Sequence, residues 1–97
     1  MRPFSRRAHA RERVRHDAQL ITPGGAIPAL LHDLSVKGAC LSLAGEAEPG
    51  NEVVVRWGCF AAVGRVARVD GRTCGLEFDH ELDARVVAVT RQGSKMR

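Results

Sequence analysis

Residues 53–78 read VVVRWGCFAAVGRVARVDGRTCGLEF, and this stretch decides the fold class. β-Branched residues recur throughout it, which is typical of strands. The part from 53 to 69 is long enough for two strands, with a bend near Gly58 or a turn before Ala61. Residues 70–72, Asp-Gly-Arg, then give a strong hairpin signal. The stretch therefore predicts three consecutive antiparallel strands.

The rest of the chain up to residue 79 follows the same pattern. A loosely alternating segment from Val14 to Leu20 is followed by a Pro-Gly-Gly turn signal at 23–25 and an apolar run at 26–31. Residues 39–43, ACLSL, place their apolar side chains on one face. Short strands separated by turn signals at roughly 8–12-residue spacing are typical of a small barrel or sandwich. We expect about five to seven antiparallel strands in a mainly β domain.

The period changes in the tail, where residues 80–93 read HELDARVVAVTRQG. Leu82, Val86 and Val89 fall at helical spacing, and Gly93 is a plausible stop. The pattern predicts one C-terminal helix with these three side chains on its apolar face.

Bulk composition limits the class of protein. The chain has 97 residues, of which 44% are hydrophobic, so it is long enough for one small domain with a core. No apolar run approaches the roughly 20 residues that cross a bilayer, and no secretory leader is evident. Its three cysteines are widely spaced without a CxxC pair, which indicates reduced, buried thiols in the cytoplasm rather than disulfides or a zinc site.

The positive charge is concentrated at one end of the chain. Residues 1–16 carry six arginines against one acidic residue, while the remainder is close to neutral. The planar donor fork of arginine suits phosphate and the edge of guanine, whereas lysine offers only a point charge. We interpret the segment as an anion-binding arm; a solvated basic tail is the alternative.

No catalytic or metal-binding pattern emerges from the sequence. Histidine, serine and acidic residues occur together at 32–35, but without GxSxG or HExxH context. No pair of histidines or cysteines has the spacing of a metal site. The sequence predicts a binding protein, with no catalytic residues and no bound metal.

Two short motifs remain to be explained. Arg7 and Arg11 are four residues apart, with Arg6 directly before them, and Asp33-x-Ser35-x-x-Gly38 begins 22 residues after the second arginine. In this order, and with GRVARV and GLEF downstream, the motifs resemble those of the PilZ domain family, whose ligand is the bacterial second messenger cyclic di-GMP. The resemblance extends over nearly the whole chain.

The resemblance implies a fold and a function. The expected fold is a PilZ-like six-stranded antiparallel β-barrel with a C-terminal α-helix over residues 14–97, preceded by a flexible Arg-rich arm over residues 1–13. The expected function is that of a bacterial, cytoplasmic receptor that orders its arm on binding cyclic di-GMP and signals to a partner protein still to be identified. It implies no enzyme activity, no cofactor other than this ligand and no membrane insertion.

The resemblance also implies the site, and the chemistry of the residues suits the ligand. An arginine can bond to guanine O6 and N7 or to phosphate, a carboxylate can accept from guanine N1–H and N2–H₂, a serine hydroxyl can donate or accept, and a glycine permits positive φ or close approach. Arg68 is an additional candidate. The resemblance places it where many relatives carry Trp, and an arginine can also stack on a base. The implied binding residues are Arg6, Arg7, Arg11, Asp33, Ser35 and Gly38.

Several readings stay open at the level of the sequence. The arginine pair has a rival register, Arg11 with Arg15, and Arg6 before the first register favours a stacked pair of ligand molecules. Asp33 and Ser35 could instead cap a turn through local hydrogen bonds. Trp57 is expected in the core or at the barrel rim.

Two other functions are compatible with the same features. One is a PilZ-type adaptor that binds a protein partner but no nucleotide. The other is a small basic barrel that binds single-stranded nucleic acid, against which the low aromatic content of 4% argues because stacking platforms are scarce.

Overall fold

The computed structural model describes residues 12–95, so the arm residues Arg6, Arg7 and Arg11 lie outside the described part of the chain. The predicted boundary between arm and barrel after residue 13 therefore stays a prediction. Residues 12–95 form six strands followed by one helix. In chain order these are β1 Glu12–Thr22, β2 Gly25–Leu34, β3 Gly38–Leu43, β4 Glu52–Trp57, β5 Phe60–Asp70, β6 Thr73–Phe78 and α1 Ala84–Lys95.

The strands close into an antiparallel barrel in the order β1-β2-β3-β6-β5-β4. Residues 53–78 form nearly all of β4 and the whole of β5 and β6, with one turn at Gly58 and Cys59 and the other at Gly71 and Arg72. Gly71 has φ 62°, which the tight hairpin requires and which a residue with a side chain rarely adopts. The expected six-stranded barrel with a C-terminal helix is confirmed.

Alternate residues of each strand fill the barrel with aliphatic side chains. Leu20, Leu31, Leu34 and Leu41 are completely buried, and Trp57 is 2% exposed. Since the sequence is poor in aromatic residues, leucine and valine supply most of the apolar area that stabilises the fold. The remaining buried hydrophobic residues are Val14, Ala39, Leu43, Val53, Val55, Ala62, Val66, Cys74, Leu76 and Val87.

Helix α1 begins with a capping interaction at Asp83. Its Oδ1 accepts a hydrogen bond from the backbone N–H of Arg85 at 2.8 Å, as an N-cap side chain does. The Arg85 side chain also pairs with this carboxylate, with Nη2 to Oδ2 at 2.7 Å. The Arg85 side chain, and then its backbone N–H, lower the pKa of Asp83 to about 2.

The helix packs against β1, and its buried face matches the predicted one only in part. Val87 and Thr90 are buried, whereas Val89 is 53% exposed. Leu82 and Val86 pack against the core as predicted, and only the placement of Val89 on this face was wrong. Thr90 is buried because its Oγ1 accepts a hydrogen bond from Trp57 Nε1 at 2.9 Å. Trp57 thus lies in the core, as expected.

The predicted stop at Gly93 was also wrong. The helix continues through Gly93 to Lys95. A Cβ at Gly93 would meet no atom within 4 Å, so the glycine lies on an open side of the helix without ending it.

Candidate ligand-binding site

The turn between β2 and β3 is organised by Ser35. Its Oγ accepts hydrogen bonds from the backbone N–H of Lys37 at 3.1 Å and of Gly38 at 3.2 Å. The Ser35 backbone N–H donates to the carbonyl of Gly38 at 2.9 Å. Ser35 is only 7% exposed. The serine therefore has the turn-capping role that was one of the two readings; its contact with a ligand stays a prediction.

Gly38 is required by the packing of two strands. It is not among the glycines with positive φ, so of the two alternatives for this glycine the left-handed conformation is not the one adopted. A Cβ at Gly38 would collide with the carbonyl oxygen of Leu76 on β6. Gly64 on β5 has the same relation to Glu77 on the other side of β6. These glycines let the barrel close tightly around β6.

Five residues from five strands lie side by side on the outer wall of the barrel, and we call them the cross-strand row. Each is the register partner of the next, so their Cα atoms follow one line across the sheet. With strands about 4.8 Å apart, the row spans roughly 19 Å. Its members, in order, are Arg13 on β1, Asp33 on β2, Cys40 on β3, Gly75 on β6 and Arg68 on β5.

Three register shifts adjoin this row. They lie between Arg13 and His16 on β1, between Leu31 and Asp33 on β2, and before Arg68 on β5. A bulge inserts an extra residue and redirects the neighbouring side chains, which is why bulges are frequent next to functional sites. Here the three bulges break the regular ladder beside the three charged members of the row.

Arg68 is seated on a glycine. A Cβ at Gly75 would lie 2.9 Å from Arg68 Nη1 and 3.2 Å from Cζ, so the guanidinium lies directly over the Gly75 backbone. Gly75 is itself buried although it lies on the outer wall. The side chain of Arg68 therefore extends from β5 across β6, in the direction of Cys40 and Asp33.

Two cysteines lie at this part of the wall but face opposite sides of it. Cys40 is half-buried in the outer row, while Cys74 points into the core and is 1% exposed. Burial is the main cause that raises the pKa of Cys74 to about 11; nearby Cys40 adds to it and Arg68 opposes it. The expectation of buried thiols holds for Cys74 but not for Cys59, which is exposed.

A side-chain pair next to the row was not predicted from the sequence. His32 Nε2 is hydrogen-bonded to Ser42 Oγ across β2 and β3. His32 is the extra residue of the β2 bulge, so its side chain is directed outward beside Asp33. Only the strand register, which the sequence does not display, brings His32 and Ser42 together.

The structure thus brings some of the predicted site residues together. Asp33 and Arg68 share the cross-strand row, and Ser35 with Gly38 forms the turn that follows Asp33. Arg15, the rival partner of Arg11, lies in the first bulge of β1, between Arg13 and His16, and is exposed. The other members of the row, Arg13, Cys40 and Gly75, were not among the predicted site residues.

Neither a metal-binding group nor a membrane span is found in the part of the chain that the structure describes. Residues 12–95 contain no cluster of three or more His, Cys, Asp or Glu side chains that could hold a metal ion. The helix over Ala84–Lys95 is not long and apolar enough to cross a membrane.

Comparison with known proteins supports the family assignment. The family model of the PilZ domain matches residues 5–92. Among solved structures, the crystal structure of the PilZ domain of CeSA from a cellulose-synthesizing bacterium is similar, with a TM-score of 0.66 over 88% of this chain and 97% of that chain. Its sequence identity to this chain is 15%, so this likeness shows the fold alone. A comparison with curated proteins finds none that matches this chain.

The match over residues 5–92 and the closed barrel with its C-terminal helix lead to one assignment. The chain belongs to the PilZ domain family, a family of receptors for cyclic di-GMP.

Proposed function

We propose that this protein is a cyclic di-GMP receptor that binds the messenger across the cross-strand row and closes its Arg-rich arm over it. The observation that carries the proposal is the placement of Asp33 and Arg68 in one row, beside three bulges that redirect its charged side chains. An acceptor and a donor fork in one row match a ligand that carries guanine bases and phosphates.

Asp33 is the acceptor of this site. It is half-buried, and in residues 12–95 its side chain makes no hydrogen bond or ion pair. Its carboxylate is therefore available to accept from the N1–H and N2–H₂ groups of a guanine. Ser35 and Gly38 support it, because they fix the turn that begins two residues later.

Arg68 is the fixed cation of the site. Because Gly75 has no side chain, the guanidinium lies close over its backbone, and Arg68 stays exposed on the wall. A guanidinium in this position can stack on a base or bond to phosphate oxygens.

The arm supplies the second set of cations. Arg11 is two residues from Arg13, the register partner of Asp33, and two residues of chain span at most about 7 Å. This short reach supports the assignment of Arg7 and Arg11 to the ligand, with Arg6 in contact with a second stacked molecule. Closing the arm changes the surface that a partner protein meets, which is how we expect the signal to be passed on.

Isothermal titration with cyclic di-GMP tests this function, with GTP and a single-stranded oligonucleotide as control ligands. We expect saturable binding of cyclic di-GMP alone, with the stoichiometry reporting one molecule or a stacked pair. Binding of the oligonucleotide that falls steeply with salt would favour the nucleic-acid alternative. No binding of any of the three would favour a ligand-free adaptor.

The Asp33→Ala variant tests the site within this function. Loss of one bidentate contact to a base costs about 1–3 kcal/mol, so affinity should fall by roughly 5- to 150-fold. The melting temperature should stay nearly the same because Asp33 makes no side-chain bond within residues 12–95. Asp79→Ala is the matched control, since this exposed carboxylate follows β6 and lies outside the row. Equal affinities of both variants and the parent would refute the site.

A further inference from the structure

Arg13 and Asp33 form an open pair of opposite charge on neighbouring strands. They are direct register partners of β1 and β2. Val14 and Leu34, the next residues on each strand, point into the core. Because side chains alternate along a strand, Arg13 and Asp33 both face outward, with Cβ atoms about 5 Å apart.

This pair does not serve as an ion pair of the fold. The charged atoms of the two side chains lie more than 4.0 Å apart, and within residues 12–95 neither side chain makes a hydrogen bond. Arg13 is exposed. By contrast, the adjacent Glu12 is engaged, with its Oε1 3.3 Å from Arg91 Nε of α1. Arg13 thus lies on the wall beside Asp33, and its side chain makes no hydrogen bond or ion pair that would stabilise the barrel within residues 12–95.

The two side chains together match the hydrogen-bonding groups of one guanine. The guanidinium fork offers two parallel N–H donors, which suit O6 and N7. The carboxylate offers two acceptors, which suit N1–H and N2–H₂. Adenine presents N7 beside a donor amino group, so it cannot satisfy the same pair.

We infer that Arg13 is a further ligand-contacting residue, and that Arg13 with Asp33 is a cross-strand pair that selects guanine. This inference rests on the proposed function, because it places one base of cyclic di-GMP at the β1–β2 end of the row. Arg13 belongs to neither register of the arm motif; only its pairing with Asp33 indicates it.

Titrations with cyclic di-GMP and cyclic di-AMP test the inference on the full chain. Arg13→Ala should weaken binding of cyclic di-GMP at least about fivefold and reduce the preference over cyclic di-AMP. Arg13→Lys should not restore affinity, since lysine keeps the charge but lacks the parallel donors. The double variant Arg13→Ala/Asp33→Ala should lose affinity by a smaller factor than the product of the two single-variant factors. This is expected for residues that hold the same base.

Arg56→Ala is the matched control for charge. Arg56 is an exposed arginine on β4 whose register partners are Gln19 and Ala61, so it lies outside the row. Its loss should leave affinity near that of the parent. Parent-like binding by Arg13→Ala, or equal weakening by Arg56→Ala, would overturn the inference while the proposed function stands. A parent protein that binds no cyclic di-GMP would overturn both.

Discussion

Two glycines of the recognised motifs have structural roles that their neighbours define. At Gly38, in the second motif, an added Cβ would collide with the backbone of β6. Because the colliding atoms are backbone atoms, no movement of a flexible side chain could relieve that clash. Gly75, in GLEF, lies instead beneath the far end of the Arg68 side chain. The first glycine therefore belongs to the fold, whereas the second determines where a charged group of the candidate site lies.

The role of Gly75 can be tested by Gly75→Ala. A methyl group there would lie 2.9 Å from Arg68 Nη1, so the guanidinium must move, at little cost to the fold because it is a flexible end. We expect a nearly unchanged melting temperature and a loss of cyclic di-GMP affinity comparable to that of Arg68→Ala.

The double variant separates an effect through Arg68 from a direct one. Since Gly75→Ala acts by displacing Arg68, adding it to Arg68→Ala should cause no further loss of affinity. Additive losses in the titration would show that Gly75 acts on the ligand by another route.

At the scale of elements, alternation and turn residues predicted an antiparallel β domain of about five to seven strands, and the family resemblance implied the six that are found. The Asp-Gly-Arg turn ends β5, and Ala39, Leu41 and Leu43 face the core as expected. The bulges could not be predicted, because the extra residue at His32 or Ala67 leaves no mark in the composition and follows from how neighbouring strands pair. The row that these bulges adjoin was therefore invisible in the sequence.

The helix was predicted in place but not in detail. Leu82 and Val86 lie against the core as predicted. The buried positions of the helix, however, are Val87 and Thr90, while Val89 is exposed. A polar residue, Thr90, occupies the buried face because it satisfies Trp57. Such a pairing between residues 33 positions apart depends on tertiary contact and has no local signal.

The helix–barrel contact predicts the effect of Thr90→Val. The substitution keeps the shape but leaves the buried indole N–H of Trp57 without its acceptor, which should cost about 1–3 kcal/mol in the free energy of unfolding. Val89→Thr, the reverse exchange at an exposed position of the same helix, should be nearly neutral. Denaturant unfolding followed by the fluorescence of the single tryptophan measures both. Equal stabilities would mean that this hydrogen bond does not hold the helix to the barrel.

At the scale of the whole molecule, stability should decline on the alkaline side. The pKa of Cys74 is about 11 in the folded protein against 9.0 for an ordinary thiol, mainly because of burial. Below pH 9 both states hold the proton, so stability is fully present. Between about pH 9 and 11 the unfolded state loses its proton first, and stability falls as pH rises, by roughly 2–3 kcal/mol.

Cysteine variants isolate this effect. Because the chain has no tyrosine, no phenol titrates in the same pH range. The unfolding free energy of Cys74→Ala, measured from pH 8 to about 11, should depend much less on pH than that of the parent, whatever its absolute value. Cys59→Ser, at an exposed position, should keep the parent slope. An unchanged slope in Cys74→Ala would assign the alkaline loss to other groups.

The central claim concerns the whole wall of the barrel: cyclic di-GMP lies across the cross-strand row. The most direct test is to follow the backbone amide resonances of the ¹⁵N-labelled protein by NMR during a titration with cyclic di-GMP. We predict that the largest shifts map to Arg13, Asp33, Cys40, Gly75 and Arg68. Amides of Ile21, Val54 and Val63, which pair across the wall at the other end of β1, should stay in place. Shifts centred on that second group, with the row unmoved, would contradict the account.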